Sequence, residues 1–204
     1  MIEPRFAVIG IGNVLAGDDA LGPTVVRIFE AQWAVPGDVA VIDAGTPGLD
    51  LTAYIAGLRG VVLVDAIRSR GSPGELRVLD GEALGSAPPA VSLSPHQPGI
   101  PEAMLHARLL GSAPALRLVG AVVQRLETGV GLTEEVRAAV PSLVRRVVDE
   151  LRGLGVEVRQ RVPATEPDLW WERDPGGGRP RATPPPSPAP RPRRCSPPPA
   201  PGTR

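Results

Sequence analysis

The chain reads as an α/β protein: a three-layer sandwich built on a mainly parallel, twisted sheet of about five strands, with helices on both faces. Three observations predict this. Short continuous apolar runs, such as Phe6–Ile11 and Val61–Val64, are what strands covered on both faces require. Helical apolar patterns alternate with those runs, as βαβ units do. Acidic residues also recur where the runs stop, and in such sheets ligands bind beyond the carboxyl ends of the strands.

The first strand is Phe6–Ile11. Asp18 and Asp19 then precede a helical pattern with Val25, Val26, Ile28, Phe29 and Trp33 on its apolar side. Pro23 falls in the first turn, where a missing N–H does little harm. Val39–Ile42 is the second strand; it closes in Asp43 and the turn Ala44-Gly45-Thr46-Pro47-Gly48, and a helix over roughly Leu49–Leu58 follows. Val61–Val64 is the third strand, ending at Asp65, and Glu75–Leu79 a short fourth. A Pro/Ser-rich loop holds Ser94-Pro95-His96-Gln97-Pro98-Gly99, before a helix Pro101–Leu110 and a fifth strand Leu116–Val123. The last helix spans about Thr133–Leu151. Its Val136, Val140, Leu143, Val144, Val147, Val148 and Leu151 recur at helical spacing, one stripe facing a sheet.

Composition changes near Pro163. We divide the chain into an α/β domain, residues 1–160, and a Pro/Arg-rich C-terminal tail, residues 161–204, expected to be disordered because it lacks the apolar surface that would offset its ordering entropy. Trp170-Trp171 and the Pro-Arg run make a docking role a minor alternative for that tail. The 22 basic residues balance the 22 acidic ones, so charge points to no nucleic-acid partner. The single cysteine, Cys195, excludes an intrachain disulfide and a Cys-rich zinc site. Neither a signal peptide nor a membrane-spanning run is legible, so a soluble, cytoplasmic protein with no membrane partner is expected.

Gly10-Ile11-Gly12 suggests a dinucleotide fingerprint, but Leu15 stands where the third glycine belongs. The loop instead delivers Asp18 and Asp19, which would repel a pyrophosphate and attract a cation. Either could be a helix N-cap, but capping needs one acid, and the second is left for a ligand role. Asp65 could cap a turn or pair with Arg68; buried without a partner, it would call for a cation. His96 stands between two prolines that restrict its backbone, whereas His106 reads as an ordinary helix-face residue. Two carboxylates and one imidazole from distant segments suit a borderline divalent ion with open positions.

The blocks Gly10-Ile11-Gly12-Asn13-Val14-Leu15-Ala16-Gly17-Asp18-Asp19-Ala20-Leu21-Gly22, Asp43-Ala44-Gly45-Thr46-Pro47-Gly48, Val64-Asp65-Ala66 and Ser94-Pro95-His96-Gln97 together resemble the hydrogenase maturation endopeptidases, over about residues 5–158. The resemblance implies an enzyme that removes a C-terminal extension from the large-subunit precursor of a nickel-iron hydrogenase after nickel insertion. It places the metal contacts on Asp19, Asp65 and His96, and a catalytic or substrate-positioning role on Asp43, with Asp19 sharing the catalytic work. The family varies between Glu and Asp at the first metal position; here it is Asp. Nickel would arrive with the substrate, with no tightly bound organic cofactor. The rival reading is a non-catalytic, metal-dependent chaperone of the immature subunit.

Overall fold

The structure, a computed structural model, describes residues 3–81, 84, 92–93, 99–109, 111, 114–124 and 126–173. In chain order the elements are β1 (Phe6–Gly10), α1 (Leu21–Gln32), β2 (Trp33–Ala34), β3 (Val39–Asp43), α2 (Leu51–Ile55), β4 (Gly60–Arg68), β5 (Leu76–Asp80), β6 (Ser92–Leu93), α3 (Gly99–Leu109), β7 (Ala115–Val122), α4 (Glu134–Gly153) and β8 (Arg159–Gln160). The main sheet has the order β3-β1-β4-β7-β5. β1 pairs parallel with β3 and β4, and β4 parallel with β7; β5 runs antiparallel at the edge. The two-residue β6 pairs antiparallel with the end of β4, Leu93 opposite Ile67.

Alternation along the strands explains the three layers. Val8, Val62, Val64, Val119 and Ala121 face α1 and the stripe of α4, in one core with Phe29 and Leu143. Ala7, Ile9, Val61, Leu63 and Ile67 form the other core with Leu51 and Ile55 of α2 and Ile100, Ala103, Met104 and Ala107 of α3. All seven residues of the predicted α4 stripe are buried. The expected fold class is the observed one. No helix among the described residues is long and apolar enough to cross a membrane.

Four local readings are corrected. β4 does not stop at Val64: it continues to Arg68, because β7 pairs with it as far as Ile67 and Ala66 and Ile67 are themselves buried. Asp65 therefore lies inside a strand and not in the loop after it. The helix expected over Leu49–Leu58 shrinks to Leu51–Ile55 after a 3₁₀ turn, Gly48–Asp50; Gly57, at φ 79°, lies just beyond it. Trp33 leaves the helix for β2, opposite Gln160 of β8.

The fourth concerns the chain after residue 160. The Arg161 N–H donates to Gln32 O and the Thr165 N–H to Ala31 O, both at the end of α1. Trp171 is buried, and Glu172 pairs with Arg137 of α4 at 2.8 Å. Residues 161–173 thus strap α1 to α4, with one buried indole supplying the apolar surface that the proline-rich composition conceals. The disorder expected of residues 174–204 concerns residues outside the described ones. Trp171→Ala is expected to lower the unfolding free energy by about 3 kcal/mol, as a shift of the urea midpoint at unchanged slope. Wild-type stability in that variant would mean the strap is idle.

Candidate functional site

The site begins with a close approach of backbones. Gly10 is in register with Val64, and the Ile11 N–H donates to Val64 O at 2.9 Å, so the end of β1 lies beside the middle of β4. The chain then loops out and returns through a 3₁₀ turn, Gly17–Ala20, into α1. Gly22 lets the first turn of α1 lie on this junction: a Cβ there would come within 2.5 Å of Val64 O and 2.6 Å of Ile11 N. Gly12 likewise sits where a Cβ would collide with the Asp19 carbonyl. These contacts set Asp19 next to the β4 segment that carries Asp65.

The two neighbouring aspartates do different jobs. Asp18 accepts the Thr133 N–H at 2.7 Å and the Thr133 hydroxyl at 3.1 Å, tying the turn to the residue that opens α4. Burial raises its carboxyl above the ordinary value, and the Thr133 hydrogen bonds counteract part of that rise. Neither aspartate caps α1: the N-cap is Ala20, with no side-chain cap. Asp18→Ala should cost about 1–2 kcal/mol, since both part-buried hydrogen bonds from Thr133 are lost, whereas Asp18→Asn, which keeps an acceptor, should cost little. Thermal melts of the two variants test this; equal losses would refute it.

Asp19 is 1% exposed and Asp65 fully buried. Asp19 Oδ2 accepts the Asn13 N–H at 2.8 Å, and Asp65 Oδ1 the Ala66 N–H at 2.6 Å. Among the described residues Asp19 Oδ1 and Asp65 Oδ2 are buried with no hydrogen-bond partner. The Asp65 carboxyl is pushed well above its usual range, first by burial and second by the charge of Asp19. Two facing carboxylates in a dry setting favour a shared proton or a cation between them. Arg68 forms no ion pair with Asp65 among the described residues.

Asp43 ends β3 in register with Gly10, on the far side of β1 from β4. Two strand spacings, about 10 Å, separate its backbone from that of Val64. Its carboxylate meets Arg27 at 3.4 Å and accepts the Gly45 N–H at 3.3 Å. Asp43 stands beside the Asp19–Asp65 pair with its own partners and is not part of it. His96 lies outside the described residues, and His106 is exposed on α3. Among the described residues no group of three or more His, Cys, Asp or Glu is gathered. A cleft of ≈ 630 Å³ lined by Arg5, Phe6, Asp38, Arg59 and Leu154 opens at the amino ends of the strands, the opposite end from the carboxylates.

Sequence reasoning did not find Asn13, Thr133 and Arg27, the partners of the three aspartates. Thr133 is only the first residue of the last predicted helix in the sequence, and it lies 115 residues from Asp18. Only Asn13, inside the first motif block, carried any signal.

A family model described as HycI, hydrogenase maturation protease, matches residues 23–150, a stretch that holds Asp43, Asp65 and His96 and begins just after Asp19. The hydrogenase 2 maturation protease of Escherichia coli (strain K12) is 34% identical over 162 residues, covering 77% of this chain and 96% of that protein. The hydrogenase expression/formation protein HupD of Rhizobium leguminosarum bv. viciae is 32% identical over 178 residues, 83% of this chain and 88% of that one. Among solved structures, the hydrogenase maturating endopeptidase HybD from E. coli matches with a TM-score of 0.71 at 33% identity, over 78% of this chain and 99% of that chain. With matches of that extent, the chain belongs to the hydrogenase maturation protease family and is an endopeptidase of hydrogenase maturation.

Proposed function

We propose that this endopeptidase removes the C-terminal extension of a nickel-iron hydrogenase large-subunit precursor after nickel insertion, and that it reads the substrate's nickel through Asp19, Asp65 and His96. The observation that carries the reading is the pair of buried oxygens, Asp19 Oδ1 and Asp65 Oδ2, that have no hydrogen-bond partner among the described residues, with the Asp65 carboxyl pushed well above its usual range by burial and then by the charge of Asp19. A divalent ion is a natural partner for such a pair. The third contact, His96, follows Leu93 by three residues in the sequence, and Leu93 pairs with Ile67, two residues beyond Asp65. Alternation along β4 sends Asp65 to the same side as Val61, Leu63 and Ile67, the side on which α3 packs three residues after His96.

The chemistry follows from a site of few ligands. An ion already held by the precursor has positions to spare, so the enzyme need not retain it and cleavage waits for nickel loading. The substrate's ion then polarises the scissile carbonyl or activates water, and a carboxylate of Asp43 or Asp19 handles the proton. Asp43, fixed by Arg27 and Gly45 at the neighbouring strand end, suits substrate positioning or proton transfer from the side.

The test compares nickel-loaded with nickel-free precursor under single-turnover conditions, read by intact mass. Loss of the extension only from the nickel-loaded form is expected. Equal processing of both forms would refute metal reading, and stable co-elution without any mass loss would favour a chaperone role in its place.

A further inference from the structure

The close approach that sets Asp19 beside Asp65 also aims a cation at Asp43. Gly10 is in register with Asp43 on one side and with Val64 on the other. A Cβ on Gly10 would come within 2.6 Å of Gly22 O and 2.8 Å of Val26 Cγ2. Without that Cβ, α1 lies directly over the end of β1, and Arg27, the residue after Val26, reaches across to β3. Its guanidinium meets Asp43 Oδ2 at 3.4 Å and, through its other terminal nitrogen, Glu30 at 3.6 Å. The Gly45 N–H donates to Asp43 Oδ1 at 3.3 Å. An aspartate's terminal torsion is broad, so one contact leaves the carboxylate free to turn, whereas two fix its plane.

We propose that Arg27 is a positioning residue for processing, acting through Asp43 by holding that carboxylate in the orientation the reaction uses. This rests on the role given to Asp43 above. The pair is poorly suited to holding the fold together. The Arg27 side chain is 32% exposed and that of Glu30 52%, the contacts are long, and ion pairs of that kind contribute little to stability. Arg27 Nε is buried with no hydrogen-bond partner among the described residues, and an unmet buried N–H costs the fold free energy. A guanidinium that adds little and leaves one donor unmet is not explained by stability. Orientation explains it: a rigid fork, anchored on the helix, meets the second oxygen of a carboxylate at the rim where β1 and β3 end.

The experiment is steady-state processing of nickel-loaded precursor by wild type, Arg27→Met, Arg27→Lys, Asp43→Asn and the double variant Arg27→Met/Asp43→Asn, with a thermal melt of each. Arg27→Met keeps an unbranched stem and removes the charge. Its kcat should fall about tenfold, with KM within about twofold and Tm within about 2 °C of wild type. Arg27→Lys should regain about threefold of that loss, since the charge returns without the fork. In the Asp43→Asn background the change at position 27 should lower kcat by less than about twofold, because its target is gone. A second tenfold loss there, an unchanged kcat in Arg27→Met, or a Tm that falls along with kcat overturns the positioning role, while a slow Asp43→Asn leaves the role of Asp43 intact. Should Asp43→Asn be too slow to measure, recovery in Arg27→Lys supports the proposal and its failure overturns it. Processing by Asp43→Asn at the wild-type rate overturns the role of Asp43, and that of Arg27 with it.

Discussion

Asp65→Asn is expected to make the metal-free protein more stable and the enzyme inactive. The wild-type carboxyl is fully buried, has one oxygen without a partner among the described residues, and faces the charge of Asp19. Holding it ionised costs the fold free energy, and an amide of the same shape still accepts the Ala66 N–H through Oδ1. The gain should be about 1–2 kcal/mol at neutral pH, or about 2–6 °C in Tm. The sign with pH follows from the raised folded-state pKa. The unfolded carboxyl titrates near 3.8, so below that pH both states are protonated and the full stability is present. As pH rises from there through the raised folded value, the unfolded chain releases the proton first and wild-type stability falls. In Asp65→Asn that fall should be missing. Processing of nickel-loaded precursor should drop by more than about 100-fold, as when a preorganised charge-stabilising group is removed. His96→Ala should lose processing comparably. A variant at 65 that processes normally, or one that is less stable than wild type at neutral pH, would contradict the role assigned to the pair.

Gly22→Ala should destabilise the fold by more than about 4 kcal/mol, at the exceptional end of the range for a single substitution. The new methyl would fall on the backbone of Ile11 and within 2.5 Å of Val64 O, and neither can move without breaking the β1–β4 register. Such overlap cannot be absorbed by a rotamer change, because the three nearest obstructing atoms are all main chain. The first turn of α1 would lift away, carrying the Gly17–Ala20 turn and hence Asp19 off Asp65. Chemical denaturation followed by far-ultraviolet circular dichroism measures the loss, with processing falling in parallel. A Gly22→Ala protein of near wild-type stability would mean that the helix does not rest on the strands as described.

The consequences of these two changes differ in how far they could be foreseen. That Asp65 is chemically important was legible, since an acid after four apolar residues is costly to bury unless it has work to do. That it lies within β4 was not: the strand continues to Arg68 through pairing with β7, whose residues are some 55 positions later in the chain. Gly22 carried no local signal of its own beyond its place in a motif block. Its role appears only when α1 is laid across β1 and β4.

Period and composition decided the layers. The stripe of α4, the buried runs of β1 and β4 and the alternation of strands with helices are nearest-neighbour properties, written in every few residues, and they specify a doubly covered parallel sheet without reference to distant parts. Tertiary structure alone separated Asp18 from Asp19. Adjacent in sequence and identical in chemistry, one is claimed by Thr133 across 115 residues and the other keeps an oxygen with no partner among the described residues, beside Asp65. It also recovered residues 161–173 for the body through one buried indole. The physical reason is the same in both cases: hydrogen-bond satisfaction and burial depend on which distant atoms arrive, and no local pattern records that.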